Sequence, residues 1–190
     1  MSRKGAKLFR VGVTGHRPNR MPESEWDRIK ADLAQVMAEL EAANPGRTPA
    51  LLSGLAEGAD RLAAFVALGR DWSLHAILAF HRSRFEDDFP TPFAIGEFRA
   101  LLAASDRIDE PKRKAHVGRP PEDGYHAVGQ TLLAECDALI AVWDGQGSRG
   151  KGGTVDVIEA ARAAGIPVIW VHARAAKAPK SAPTSRTSHR

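Results

Sequence analysis

Three short stretches of the sequence place glycine beside polar and charged residues in an order suited to binding an anion. They are T-G-H-R-P at 14–18, S-G-L-A-E-G-A-D at 53–60 and D-G-Q-G-S-R-G-K-G-G-T at 144–154. Because glycine has no Cβ, a ligand can approach the backbone closely. Where such a stretch precedes a helix, the free N–H groups and the dipole of the first turn attract phosphate. The three stretches therefore predict a site for a phosphate-bearing ligand.

The first stretch offers a hydroxyl, an imidazole and a guanidinium around one glycine. Thr14 and Gly15 suit close contact with a ligand, and Arg17 can hold a phosphate or carboxylate through two hydrogen bonds. His16 is a candidate acid, base or ligand contact. The alternative is an ordinary turn in which Arg17 is solvated and His16 bonds to the backbone.

The second stretch is rich in small residues at an expected strand-to-helix junction. Ser53, Gly54 and Gly58 are candidates for contact with the ligand. Glu57 and Asp60 fall in the expected first helical turn, where acids stabilise the helix dipole. Alternatively, one of these acids binds the hydroxyl groups of a ribose.

The third stretch carries the strongest signal, since five of its eleven residues are glycine. The N–H groups of Gly152, Gly153 and Thr154 can surround a phosphate, and Thr154 can also cap the following helix. Lys151 supplies positive charge, and Asp144 stands where the preceding strand ends. The alternative is a flexible connection.

Two well-known nucleotide motifs match this stretch only superficially. Gly145, Gly147 and Gly150 satisfy G-x-G-x-x-G, but at the fifth expected strand and without an acid after the next strand. The stretch also fits G-x-x-x-x-G-K, but Gly152 replaces the Ser or Thr that holds magnesium. These departures argue against a dinucleotide oxidoreductase and a P-loop NTPase. No spacing of histidine and carboxylate residues indicates a metal site, so we expect neither a metal nor a cofactor.

Strands and helices alternate along the chain, which predicts how the three stretches come together. Expected strands are Leu8–Thr14, Pro49–Ser53, Ser73–Phe80, Arg107–Asp109, Ala138–Trp143 and Pro167–His172. Expected helices are Glu23–Ala43 (capped by Ser24), Glu57–Gly69, Phe93–Ala104, Tyr125–Cys136 and Thr154–Ala164, and a long loop is expected at Glu110–Gly124. This order is typical of an α/β fold with one doubly wound, mostly parallel sheet of about 5–7 strands and helices on both faces. Ligands of such sheets bind at the carboxyl ends of the strands, where all three stretches would lie.

The aromatic residues are candidates for packing or, in one case, for contact with a ligand. Tyr125, the only tyrosine, either packs in the core or stacks on a base. Trp72, Trp143 and Trp170 fit packing in the core or against the sheet.

Length and composition indicate one soluble domain. The chain has 190 residues, of which 43% are hydrophobic and 26% charged. It shows neither an apolar run long enough to cross a membrane nor a secretory signal, and its single cysteine, Cys136, excludes an internal disulfide. We therefore expect a cytoplasmic protein without membrane contact.

The positive net charge belongs to the C-terminal end. The 27 Lys and Arg residues exceed the 23 Asp and Glu residues by four, but residues 174–190 contain five basic residues and no acid. Residues 1–173 are thus nearly neutral, so a nucleic-acid partner is unlikely. We expect residues 1–173 to form the domain and residues 174–190 a disordered basic tail.

The three stretches together resemble the SLOG superfamily, which unites Smf/DprA proteins, YpsA-like proteins and LOG-type "lysine decarboxylase-like" phosphoribohydrolases. The resemblance covers roughly residues 8–173 and implies a Rossmann-like sheet, a nucleotide or nucleotide-derived ligand and a homo-oligomer. By motif position, the implied ligand residues are Gly15, Arg17, Ser53, Gly54, Gly58, Asp60, Gly152, Gly153 and Thr154.

One residue of the LOG pattern is missing. LOG-type enzymes carry P-G-G-x-G-T-x-x-E, whose glutamate acts in cleaving the N-glycosidic bond, and this sequence has Val157 there. The carboxylates left as catalytic candidates are Asp60, Asp144, Asp156 and Glu159. The sequence thus favours a nucleotide-binding module or sensor. The alternatives are an enzyme that cleaves or transfers an N-glycosidic bond and a DNA-binding module of the Smf/DprA kind.

Overall fold

A sheet of six parallel strands runs through the centre of the computed structural model, which describes residues 7–115, 118, 120–147 and 153–174. The strands are β1 (Leu8–Gly15), β2 (Thr48–Ser53), β3 (Ser73–Ile77), β4 (Arg107–Asp109), β5 (Ala138–Trp143) and β6 (Val168–His172). Their order across the sheet is β4-β3-β2-β1-β5-β6. The predicted doubly wound, parallel architecture is confirmed. The chain reverses its direction of winding between β1 and β5, where ligands of such sheets bind.

Helices cover both faces of this sheet. They are α1 (Trp26–Ala43), α2 (Ala59–Gly69), α3 (Arg82–Phe85), α4 (Pro92–Ala103), α5 (Pro121–Glu135) and α6 (Thr154–Ala163). Leu51 packs in the core beside α1 and α2, whereas its neighbour Leu52 packs beside α5 and α6. This alternation, typical of a strand, divides the core into two apolar layers.

Helix α1 begins three residues later than the sequence predicts. The 3₁₀ turn Glu23–Glu25 precedes it, and Ser24 does not cap it. A capping residue needs an extended backbone, but Glu25 before α1 is already helical, with φ −95° and ψ −11°. The indole N–H of Trp26 donates to the carbonyl of Met21 at 3.0 Å and anchors the start of the helix instead.

Three other boundaries differ from the prediction by two residues or more. Helix α2 starts at Ala59, because Gly58 has a φ of +103° that no helix accepts. Strand β3 ends at Ile77, since residues 78–80 leave the sheet while staying buried. Helix α5 begins at Pro121, inside the expected loop, because proline suits the first helical position.

Helix α5 lies unusually close to the sheet. A Cβ on Gly12 of β1 would overlap the side chain of Leu132 on α5. A Cβ on Gly124 would lie 2.5 Å from Phe80 Cε1 and 2.8 Å from the carbonyl oxygen of Ala79. Both glycines therefore permit this close approach, which fixes α5 above β1 and β3.

Two further expectations from the sequence concern membrane-spanning helices and the C-terminal tail. In the described ranges, no helix is both long and apolar enough to cross a membrane. The expected basic tail lies outside the described residues from residue 175 onward.

Candidate functional site

A cavity of about 650 Å³ opens at the carboxyl ends of β1 and β2, with α5 and α6 on its sides. Its volume is within the range of small-molecule sites. The polar residues that line it are Thr14, His16, Arg17, Asn19, Arg20, Asp88, Glu122, Tyr125 and Thr154. The glycine and apolar residues of its wall are Val13, Gly15, Gly54, Ala56, Ala79, Pro121, Val128, Gly129, Leu132, Gly153, Val155 and Val157.

The cavity brings together residues from all three glycine-containing stretches. The predicted site residues in its wall are Thr14, Gly15, His16, Arg17, Gly54, Gly153 and Thr154. Those that the structure places outside the wall are Ser53, Glu57, Gly58, Asp60, Asp144, Asp156 and Glu159. Lys151 and Gly152 lie outside the described residues.

Backbone hydrogen bonds tie the first stretch to β5 and to the second stretch. The N–H of His16 donates to the carbonyl of Val142 at 3.1 Å, and the N–H of Ala59 donates to the carbonyl of His16 at 3.1 Å. A Cβ on Gly58 would lie only 2.6 Å from that carbonyl oxygen. The contact between these turns therefore requires glycine at position 58.

Ser53 stabilises the second turn without lining the cavity. It is fully buried, and its hydroxyl accepts a hydrogen bond from the N–H of Leu55 at 3.2 Å. The same hydroxyl donates to the carbonyl of Asp60 at 3.3 Å. These bonds hold Leu55 at a φ of +54°, a left-handed conformation that non-glycine residues rarely adopt. The role of Ser53 seen here is structural.

Asp60 supports the cavity floor through Gly54. A Cβ on Gly54 would lie 3.0 Å from Asp60 Oδ2, so the carboxylate packs directly behind this part of the wall. Burial raises the pKa of Asp60 to about 7, against hydrogen bonds from Ala56 and Gly54 and the charges of Arg17 and Arg61 that favour the ionised form. Asp60 is therefore a carboxyl group that changes charge near neutral pH.

His16, Asp144 and Arg20 form a charged cluster on one side of the cavity. The Nε2 atom of His16, a residue only 4% exposed, lies 2.9 Å from Asp144 Oδ1 and 3.2 Å from the Asp144 backbone N. The ring tautomer decides whether Nε2 donates to the carboxylate or accepts from the N–H. Arg20 donates to both carboxylate oxygens, with Nη2 at 2.8 Å from Oδ1 and Nε at 3.2 Å from Oδ2.

The cluster fixes the charge of Asp144. Burial alone would raise its pKa, but hydrogen bonds from His16, from the N–H of Gln146 and from Arg20 outweigh burial and hold the pKa at about 2. Burial lowers the pKa of His16. At neutral pH, Asp144 is therefore a carboxylate engaged with Arg20, which ties the end of β5 to the segment after β1.

Arg17 and Tyr125 meet at another part of the cavity wall. The Arg17 guanidinium carbon lies 5.0 Å from the centroid of the Tyr125 ring. The Tyr125 hydroxyl donates to Asp88 Oδ2 at 2.5 Å, and burial together with this bond raises the pKa of Tyr125 to about 12. Tyr125 therefore packs on Phe80 and Phe85, as the first interpretation expects, and also lines the cavity; stacking on a base stays a prediction.

Helix α6 presents its first turn to the cavity. Gly153 precedes it in an extended conformation, with φ −81° and ψ 176°. Thr154 is the first helical residue and does not cap the helix, contrary to the prediction, because the capping position belongs to Gly153. The N-terminal end of this ten-residue helix is still available to an anion.

The position of the missing glutamate is apolar in the structure. Val157 is 9% exposed and lines the cavity together with Val155. Among the described residues, the wall includes neither Asp156, which is partly buried, nor Glu159, which is exposed. Neither acid therefore replaces the glutamate of the LOG pattern at this place.

Sequence reasoning missed several residues of the wall. Arg20 follows Arg17 by three residues on the 3₁₀ turn Pro18–Arg20, a spacing that places both arginines near the cavity. The proline at 18 was the available signal for this turn. Asp88 and Glu122 belong to segments distant in sequence and gave no signal. In the described ranges, no group of three or more His, Cys, Asp or Glu side chains could hold a metal ion.

Comparison with solved structures identifies this architecture. DNA processing protein A (DprA) from Streptococcus pneumoniae matches with a TM-score of 0.58 and 17% identity, over 86% of this chain and 50% of that chain. The protein TM1055 matches with a TM-score of 0.50 and 18% identity, over 85% and 72% of the two chains. The Moco carrier protein of Chlamydomonas rheinhardtii matches with a TM-score of 0.49 and 16% identity, over 86% and 76%.

The chain shares the fold of these structures. The resemblance found in the sequence is thus confirmed at the level of the fold, which is what these low identities establish. The chain spans about half the length of the DprA chain. No protein-family model and no curated protein matches the sequence. The proposed function therefore rests on the cavity of this chain.

Proposed function

We propose that this chain binds a nucleotide or nucleotide-derived ligand in the cavity, as a binding module or sensor without glycosidic cleavage. One observation carries the proposal: Val157, at the position of the catalytic glutamate of the LOG pattern, lines the cavity beside Val155. A missing catalytic acid or base typically costs about 10²–10⁴-fold in rate. The cavity can thus retain binding while it lacks the cleavage chemistry.

Two parts of the cavity wall suit the two parts of a nucleotide. The first turn of α6, at Gly153 and Thr154, offers N–H groups and a positive dipole to a phosphate. Another part of the wall offers Arg17 and the ring of Tyr125 to a base. Apolar side chains and glycines make up much of the remaining wall.

A thermal-shift panel of nucleoside mono-, di- and cyclic phosphates, NAD, ADP-ribose and ribose 5-phosphate tests this proposal. A ligand at 100 times its Kd stabilises a protein by about 2.7 kcal/mol, or about 5–10 °C for a chain of this size. The variant Val155→Trp should abolish the shift by filling the cavity. Ala163→Trp, at the exposed end of the same helix, is the matched control and should keep it.

Two results would contradict the proposal. One is the absence of a shift with every compound in the panel. The other is a shift that Val155→Trp and the wild-type chain share equally, because the ligand would then bind elsewhere.

Asp60 supports a second candidate, an enzyme that cleaves or transfers an N-glycosidic bond. A carboxyl group with a pKa of about 7 is suited to proton transfer at neutral pH, and Asp60 lies directly behind Gly54 in the cavity floor. This candidate predicts release of free base from a bound nucleotide, measured by chromatography. Asp60→Asn should abolish that release while binding persists. A nucleotide that binds and stays intact would argue against the enzyme.

Three expectations from the sequence remain predictions. The near-neutral body of residues 1–173 argues against DNA binding, for which neutralisation of phosphates by Lys and Arg is the main source of affinity. Homo-oligomeric assembly rests on the resemblance alone. The cytoplasmic location rests on composition.

A further inference from the structure

Arg17 occupies an unusual position for a cation at the mouth of a cavity. Its guanidinium lies over the ring of Tyr125 at 5.0 Å, and the residue is exposed. Within the described ranges, no carboxylate forms an ion pair with Arg17, although Asp88 accepts the hydroxyl of the same tyrosine. The guanidinium also contacts the Tyr125 hydroxyl and its charge acts on the buried Asp60, while its exposed side is open to a ligand.

The ring beneath Arg17 is held rigidly. The Tyr125 hydroxyl is bonded to Asp88, and the ring meets Phe80 edge-on, with centroids 5.4 Å apart and planes at 85°. Phe80 is itself buried, and the guanidinium carbon of Arg84 lies 4.1 Å from the centroid of its ring. A guanidinium stacked on such a fixed ring is a preorganised flat surface, and such surfaces lose little entropy when they bind.

The charges around Arg17 disfavour a phosphate at this part of the wall. Asp88 and Glu122 both line the cavity beside Tyr125 and would repel an anion. The first turn of α6, which follows β5 beside β1, attracts anions instead.

We propose that the open face of the Arg17 guanidinium stacks on the base of the bound nucleotide, with Tyr125 supporting it from behind. This inference rests on the proposed function and reassigns Arg17 from the phosphate, as the sequence suggested, to the base. Nucleic-acid bases stack well on arginine planes, and the planar group of arginine cannot be replaced by the ammonium group of lysine.

Calorimetric titration of the full chain with AMP, GMP, CMP, UMP and ribose 5-phosphate tests the inference. Stacking of one base contributes about 1–3 kcal/mol, so Arg17→Lys should weaken binding of the tightest nucleotide by about 5- to 150-fold. The affinity for ribose 5-phosphate, which has no base, should change by less than about twofold, because the charge is kept. Arg162→Ala, an exposed position near the end of α6, controls for the loss of a surface arginine.

The outcomes separate this inference from the proposed function. A selective loss of nucleotide affinity supports the stacking role. An equal loss for nucleotide and ribose 5-phosphate, or no loss for either, overturns stacking while nucleotide binding stands. Wild-type protein that binds none of the five compounds overturns the proposed function and the inference together.

Discussion

The turn after β2 and the turn after β5 are both rich in glycine, yet their glycines do different things. In the β2 turn, a Cβ on Gly58 would press against the carbonyl of His16, and one on Gly54 would reach Asp60. In the β5 turn, a Cβ on Gly147 would meet nothing within 4 Å, and one on Gly145, whose φ is +79°, would make only ordinary contact with Trp170 at 3.5 Å. The β5 turn has more glycines than the β2 turn, yet its described glycines have more space around them.

This difference separates two reasons for glycine. The β2 turn needs glycine because two backbone segments meet there, and their contact shapes the cavity floor. Around Gly147, nothing in the described structure demands the absence of a side chain. A count of glycines in a sequence therefore indicates where backbone freedom exists, but not where packing requires it.

The largest effect that tests this difference is expected at Gly58. Gly58→Ala must hold alanine at a φ of +103° with its Cβ 2.6 Å from a carbonyl oxygen. We expect a loss of about 3 kcal/mol or more in the free energy of unfolding, measured with urea. Gly147→Ala is the matched variant in the other turn and should change stability by less than about 0.5 kcal/mol. Similar values for the two variants would remove the distinction between the turns.

A smaller effect is expected at Asp144, which fixes the start of the β5 turn to Arg20 and His16. Its pKa of about 2 is below the unfolded value of 3.8, so its stabilising contribution is present above pH 4 and is lost as the pH falls towards 2. Asp144→Asn should therefore lower stability by about 2 kcal/mol at pH 7. The difference from wild type should shrink between pH 4 and pH 2.

The control for this variant is Asp27→Asn, which removes a fully exposed carboxylate from the first turn of α1 and should change stability by less than about 1 kcal/mol. A destabilisation of Asp144→Asn that is as large at pH 2.5 as at pH 7 would show that charge is not its source.

The smallest effect concerns the pH dependence of the β2 turn. The pKa of Asp60 is raised to about 7, so the folded chain holds a proton that the unfolded chain releases near pH 4. This contribution to stability is complete below pH 4 and is lost as the pH rises through 7. Between pH 6 and pH 8, wild type should lose about 1.4 kcal/mol relative to Asp60→Asn, which has no proton to release there.

The comparison with Asp60→Asn isolates this carboxyl group from other titrating residues. Burial lowers the pKa of His16 and of His75, so both histidines make stability rise with pH and oppose the trend of Asp60. Parallel stability curves for wild type and Asp60→Asn between pH 6 and pH 8 would contradict the raised pKa.

Much of the fold was predictable because its signals are local. The buried strand Ala138–Trp143 has the predicted bounds, since an apolar run and flanking turns mark it in the sequence. The short strand Arg107–Asp109 also has the predicted bounds. Helix starts were less predictable. Ser24 is a residue type that often caps helices, but the backbone there does not have the conformation of a cap. Pro121 begins a helix inside a segment whose composition is typical of a loop.

The cavity was predictable only in part, for a related reason. Gly15, Gly54 and Gly153 lie in its wall because parallel strands bring their carboxyl ends together, as the fold class requires. The pairing of Arg17 with Tyr125 depends on how α5 sits on the sheet, which no spacing in the sequence encodes. Trp170 packs against Trp143 of the neighbouring strand, as expected, although it is 45% exposed.

Gly12 has a consequence for how such a site could be adjusted. Because Leu132 of α5 occupies the space where a side chain of residue 12 would stand, the identity of this one residue sets the clearance between helix and sheet. Tyr125, Val128 and Gly129 lie on the same helix and line the cavity. A single added methyl group at position 12, which lies in β1 outside the cavity wall, would thus act as a spacer and lift the α5 side of the cavity.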